Sequence, residues 1–381
     1  MKKLSSILLI IVAALAFAFT ACEGPQGPEG PQGLKGDTGD VGPQGPTGPA
    51  GTAGCIECHD NSQSITAVSA QWEASVHATG GTSERNDADC AICHTSQGFV
   101  EANAAGHFES TLGNKELAAA IDNPTQPNCY TCHDIHNTYT TDDWNLTKTD
   151  ATNAWHSTDG STITSTDIGA GNMCTGCHQA RSVGTLDNWD DGGTSTFTPP
   201  SPYWGLHHGT QYNIFAGEGL FEFTGSATIP APGGSHGATL SMVPATADGC
   251  VTCHMADAYG TQAGGHTWNF SYAYHGSSAN NWPASCSECH TNTELDDATA
   301  LIQADIETYL ADLEAELLTA GVIDADGHPV TSSQTQEHVA AFLNWQAVEE
   351  DRSLGMHNPG YTQAVLLNTL ETVFSVTYPT K

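Results

Sequence analysis

The stretch "CYTCHDIH", Cys129 to His136, holds two cysteines three apart, a histidine directly after the second, and another histidine three residues later. Its core recurs along the chain. CIECH begins at Cys55, CAICH at Cys90, CTGCH at Cys174, CVTCH at Cys250 and CSECH at Cys286. C-x-x-C-H is the attachment signature of c-type haem. Two thiols at that spacing can each form a thioether to one edge of a porphyrin, and the next residue turns its imidazole under the iron. Zinc ligation does not require a histidine after every second cysteine.

Six motifs therefore assign six covalent haems. Their proposed holders are Cys55, Cys58 and His59; Cys90, Cys93 and His94; Cys129, Cys132 and His133; Cys174, Cys177 and His178; Cys250, Cys253 and His254; and Cys286, Cys289 and His290. They use twelve of the 13 cysteines. No thiol is left for a disulfide framework or a catalytic nucleophile. The thirteenth, Cys22, has a separate reading.

Residues 1–21 read as an export signal. Lys2 and Lys3 precede the apolar stretch "ILLIIVAALAFAF", and "FTAC" resembles a bacterial lipobox with Cys22 as the lipidated first residue. Residues 22–54 follow as a stalk. Glycine occupies every third position from Gly24 to Gly54, the period of a collagen triple helix, where only glycine fits at the axis. The segment reads as a trimeric stalk or as a single polyproline II spacer; a single extended chain at about 3.1 Å per residue would span roughly 90 to 100 Å.

Nine basic residues face 43 acidic ones, a formal net charge of −34. Nucleic acid and anionic membrane surfaces are poor partners for such a chain. Metal cations, mineral surfaces or a basic redox protein suit it better, and solubility alone is an equal reading of the charge.

Residues 55–293 are rich in Gly, Ser, Thr, Asn and Asp, and their amphipathic periods are short. A chain this polar builds a core poorly, so it is expected to fold as coil with short helices around the haems. Residues 294–381 differ. Ile302, Ile306, Tyr309, Leu310, Leu313 and Leu317 recur at helical spacing over 294–318, with Gly321 as the stop. A second helix is expected over 335–350. A third begins after "HNPG", with Asn358 as N-cap and Pro359 at the first helical position.

Eighteen histidines exceed six proximal ligands by twelve. Methionine, the rival axial ligand, is scarce. Here the chain resembles the extracellular multihaem c-type cytochromes of metal-reducing bacteria, including six-haem cytochromes that polymerise into conductive filaments. The phrases that carry this resemblance are "SVHATGG", "CHDIHNTY", "CTGCHQAR", "LHHGTQYN", "GSHGAT", "GGHTWNF" and "GMHNPGY". It implies a coil-dominated multihaem cytochrome c domain with an α-helical C-terminal subdomain. It also implies distal ligands at His77, His136, His207 or His208, His236, His266 and His357, the last supplied by the helical subdomain. His107, His156, His275, His328 and His338 read as solvated or structural.

His136 lies three residues from His133, and a porphyrin bound by His133 would stand between His136 and that iron. His136 therefore serves a different haem if it serves one. Such spacing forces two porphyrins into near contact, and repeated contacts make a conduit for electrons. The expected role is electron transfer at the cell surface, as an outer-membrane lipoprotein or extracellular protein. Its partners would be redox proteins, extracellular acceptors or further copies of the chain, in a filament or a collagen-like trimer. A membrane would be met only through a lipid anchor, and no nucleic acid is expected. The alternative is a multihaem oxidoreductase with one open iron acting on a small oxyanion. The lysine variant C-x-x-C-K found in nitrite reductases does not occur here.

Overall fold

The computed structural model describes residues 63–109, 116–154, 163, 167–232, 248–282, 286 and 290–379. The expected signal, lipobox, stalk, first haem motif (Cys55, Cys58, His59), Cys289, His156 and His236 lie outside the described residues. All described residues belong to one compact unit, Gly51–Lys381.

The helices are α1 Gln63–Glu73, α2 Val76–Thr79, α3 Ala91–His94, α4 Ser96–Ala104, α5 Cys129–Cys132, α6 Asn172–Thr175, α7 Gln211–Ala216, α8 Cys250–His254, α9 Asn292–Thr319, α10 Gln336–Asp351 and α11 Pro359–Phe374. Two small antiparallel pairs accompany them. β1 Thr196–Phe197 pairs with β4 Gln334–Thr335, and β2 Ser271–Tyr274 pairs with β3 Ser277–Asn280. The hairpin turn uses His275 and Gly276 at φ 48° and 84°. Positive φ at both central residues is the turn whose twist matches antiparallel strands.

Each long helix starts at a residue that caps it. The Thr291 hydroxyl accepts from the Glu294 N–H at 3.3 Å, and the Glu294 carboxylate accepts from the Thr291 N–H at 2.9 Å. This reciprocal box satisfies two donors that a helix start leaves open. Thr335 accepts from the His338 N–H at 3.1 Å, and Asn358 accepts from the Tyr361 N–H at 3.3 Å with Pro359 following. α9 buries Leu295, Thr299, Ile306, Tyr309, Leu310, Leu313 and Leu317 along one face. The helix ends before Gly321, whose φ of 71° an L side chain adopts only with strain.

The main core does not stop at residue 294. Ala180, Leu186, Leu206, Ile214, Leu220, Phe221 and Phe223, from the polar central region, pack with α9, α10 and α11. Asn344 pins this segment. Its side-chain oxygen accepts from the Phe221 N–H at 2.9 Å, and its amide donates to the Phe221 carbonyl at 2.7 Å and the Thr369 hydroxyl at 2.9 Å. A smaller core gathers Ala91, Ile92, Phe99, Ala102, Phe108, Leu117, Ile121 and Met173 around two of the motif helices. Among the described residues, no helix is long and apolar enough to cross a membrane.

Asn344→Ala strips three buried partners at once. The expected loss is about 3 kcal/mol, since buried groups left unsatisfied cost about 1–3 kcal/mol each and the site relaxes in part. Chemical denaturation of the whole protein checks this; a loss near zero would mean that the Phe221 segment is not held by this side chain.

Candidate functional site

The motif spacing sets one local geometry. The N–H of His94, His133, His178 and His290 donates to the carbonyl of Cys90, Cys129, Cys174 and Cys286, at 3.2, 2.9, 3.0 and 3.0 Å. At the first three of these the bond closes a single helical turn. Positions i, i+3 and i+4 then share one face, which brings two thiols and an imidazole together. Cys250 to His254 forms the same turn as α8. None of the nine described cysteines forms a disulfide.

Four motif histidines each face a histidine from a distant segment. Ring centres are 6.2 Å apart for His178 and His77, 6.1 Å for His94 and His207, 6.3 Å for His133 and His266, and 6.2 Å for His254 and His357. One metal ion between two imidazoles requires a similar span. A metal–nitrogen bond of about 2 Å plus about 1 Å from nitrogen to ring centre, doubled, gives about 6 Å. The four spans agree with one another and with that estimate. The residues present therefore fit an iron held by two histidines at each pair.

Ring orientation is set from behind. His133 Nδ1 lies 2.8 Å from the Trp144 carbonyl and His254 Nδ1 lies 2.9 Å from the Trp268 carbonyl. His178 Nδ1 is 3.2 Å from Gln211 Oε1, and His94 Nδ1 is 2.5 Å from the Thr82 hydroxyl. His357 Nδ1 meets Asp351 at 2.5 Å. A bond at Nδ1 fixes the tautomer and leaves Nε2 as the free lone pair, the usual outer-shell arrangement of a ligating histidine.

The electrostatics favour neutral imidazoles. Burial pushes His77 down to about 4, with His178 adding to the shift. His207 is also pushed down to about 4, by burial first and then by His208. Burial is likewise the leading cause that lowers His94, His178, His254 and His266. At neutral pH these rings keep the lone pair that a metal needs. His357 is the exception: burial lowers it, but the Asp351 carboxylate overcomes burial and holds it above the ordinary value.

Trp268 joins three of the pairs. Its carbonyl meets His254, and its ring stands edge-on to His77 at 4.5 Å and to His266 at 5.4 Å. It holds this place at φ 53°, a left-handed backbone uncommon for a bulky residue. Thiols of different motifs also meet. Cys177 is within hydrogen-bonding reach of Cys93, and Cys250 of Cys174; together with burial these contacts raise both Cys177 and Cys250 well above the ordinary thiol range. The sites of the second, fourth and fifth motifs are thus immediate neighbours.

The remaining expected site residues fall elsewhere. Of the adjacent pair, His207 faces His94, at φ 67°, while His208 turns outward to Glu350 at 2.7 Å. Gly209 follows so closely under the fourth motif that a Cβ there would stand 2.4 Å from the Gln179 carbonyl. His136 does not share the His133 pair. It stacks on Tyr139 at 5.8 Å and meets the Tyr130 hydroxyl at 3.3 Å. His338 stacks on Phe374, His275 sits on Tyr274 in the hairpin, and His328 lies beside Asp324 and Tyr203. Met173 is in the smaller core, where its sulfur accepts from Thr147 at 3.7 Å. The tethers Trp144, Trp268, Thr82, Gln211 and Asp351 carry no motif that sequence reading could single out.

No family model, curated protein or solved structure matches this chain.

The loop carrying His136 hangs on one carboxylate. Asp143 accepts from the N–H groups of His136, Thr138 and Tyr139 at 3.0, 2.6 and 3.0 Å, and from the Thr138 hydroxyl at 2.7 Å. Burial alone would raise Asp143, but these donors outweigh it and hold the group below its ordinary 3.8. A carboxylate lowered in the folded state stabilises fully above its unfolded value, and that contribution is lost as pH falls through the folded value. Asp143→Asn should speed amide exchange at His136 and Tyr139 severalfold at neutral pH and remove the acid dependence below 3.8. Unchanged exchange would show that the loop is held by other contacts.

Proposed function

We propose that this chain is a multihaem c-type cytochrome that carries electrons and does not catalyse a reaction on a bound substrate. The observation that carries the reading is the set of four histidine pairs. Each joins a C-x-x-C-H histidine to one far away in sequence, at a spacing of 6.1–6.3 Å. The two histidines of each pair would hold a haem iron, which would supply a one-electron couple there. The chain's residues position and tune. Cysteine pairs on single helical turns would hold the porphyrin edge, and the motif histidines are aimed by carbonyl, amide and hydroxyl groups. Distal histidines arrive from α2, the 207–209 turn, the 264–268 turn and the α10–α11 connection. Thiol contacts between motifs support close spacing of the sites, which rapid transfer requires.

The remaining parts of the reading come from the sequence. Six motifs support six haems. The export-like first 21 residues and the lipobox-like Cys22 support a cell-surface location with a lipid tether, and the glycine-periodic stalk supports standing off that surface or associating in threes. The acidic balance supports cationic acceptors or basic redox partners. Filament assembly rests on the resemblance alone.

Two measurements test this. Mass spectrometry of protein made with its c-type maturation machinery should show six covalent haems. Low-temperature electron paramagnetic resonance should then show them all low-spin. One high-spin haem in six that responds to nitrite would overturn the electron-carrier reading in favour of an oxidoreductase.

The two adjacent histidines give a sharper check. His207→Ala should convert one haem in six to high-spin, while His208→Ala should leave all six low-spin. The reverse pattern would reject the His94–His207 pair.

A further inference from the structure

Asp351 differs from every other tether in the described pairs. Trp144 and Trp268 offer carbonyls, Gln211 an amide oxygen and Thr82 a hydroxyl, all uncharged. Asp351 offers a carboxylate, 2.5 Å from His357 Nδ1, and its side chain is wholly buried. Ser353 closes the arrangement: its hydroxyl donates to the other Asp351 oxygen and accepts from the His357 N–H at 3.2 Å. Among the described residues no lysine or arginine pairs with Asp351. Arg352, next in sequence, points to Glu350 at 3.6 Å. The carboxylate is held at the last residue of α10, beside the main core, where Ala347 and Val348 are fully buried.

Resting on the haem reading above, we propose that Asp351 is a tuning residue that makes the site of Cys250, Cys253, His254 and His357 the lowest in reduction potential of the four described pairs. A carboxylate on Nδ1–H increases the electron donation of the ring at Nε2. It also places a buried negative charge near the iron. Both effects favour the ferric state over the ferrous one, and hydrogen bonding and burial are recognised levers on haem potential. Asp351 touches neither iron nor porphyrin; it acts through His357.

Spectroelectrochemical titration of the full haem-loaded chain tests this, with haem count by mass run in parallel. Asp351→Asn keeps a hydrogen-bond acceptor and removes the charge. It should move one of the three lowest of the six one-electron steps upward and alter one low-spin resonance, while Asp351→Glu should leave that step near its wild-type place. Ser353→Ala removes the donor that partly neutralises Asp351 and should move the same step down, which keeps the test decisive if Asp351→Asn loads haem poorly. Superimposable titrations for all variants at full haem content, or a shift confined to the three highest steps, would overturn the proposal and leave the cytochrome reading standing. Wild-type chain without covalent haem would overturn both.

Discussion

An imidazole can offer one nitrogen to a metal only while something else decides which nitrogen that is. In this chain the decision is made at Nδ1. A carbonyl, an amide, a hydroxyl or a carboxylate stands behind His133, His254, His178, His94 and His357. Everything else in the site follows from keeping those acceptors in place. The turn at 264–268 must hold Trp268 in a left-handed conformation so that its carbonyl meets His254 while its ring supports His77 and His266. The short helix α7 must carry Gln211 to His178. Such outer-shell groups orient ligands as surely as the ligands hold a metal.

The helical C-terminal region does more than append a subdomain. Its core takes in residues 180–223, so the segment bearing His207 and Gln211 is fixed by the same packing that fixes His357. Hydrogen bonds confirm the coupling. Thr210 donates to the Ala347 carbonyl at 2.7 Å, Gln211 to the Glu350 carbonyl at 3.0 Å, and the Leu206 N–H to Gln346 at 2.7 Å. A polar, glycine-rich region with few apolar residues of its own gains rigidity from a conventional helical core next to it. Two of the four pairs, His94–His207 and His254–His357, depend directly on that support.

The sequence made some of this legible and hid the rest for physical reasons. Asn358 with Pro359 announces a helix start because capping is local chemistry, and α11 begins there, while the apolar spacing from Ile302 to Leu317 marks α9. The single-turn geometry of the described motifs is equally local. Which histidine faces which motif is not local, because it depends on long-range closure: His77 meets His178, and His133 meets His266. The choice between His207 and His208 turns on a left-handed φ that neither side chain advertises. Trp268 was readable only as a neighbour of His266. Its backbone role cannot be inferred from residue type.

The crossing order of the pairs has a consequence for how the chain must come together. His77 precedes its partner by about a hundred residues, and His357 follows its partner by about as many. A chain threaded from its N-terminus would present His77 long before His178 exists to face it. It would present His254 long before α10 and α11 have emerged with His357. Through that interval the fifth motif stands with one side uncovered, and the connection between the last two long helices, which carries His357, is what covers it. The seam begun near the first described helix is thus closed only when the α10–α11 connection brings His357 to His254.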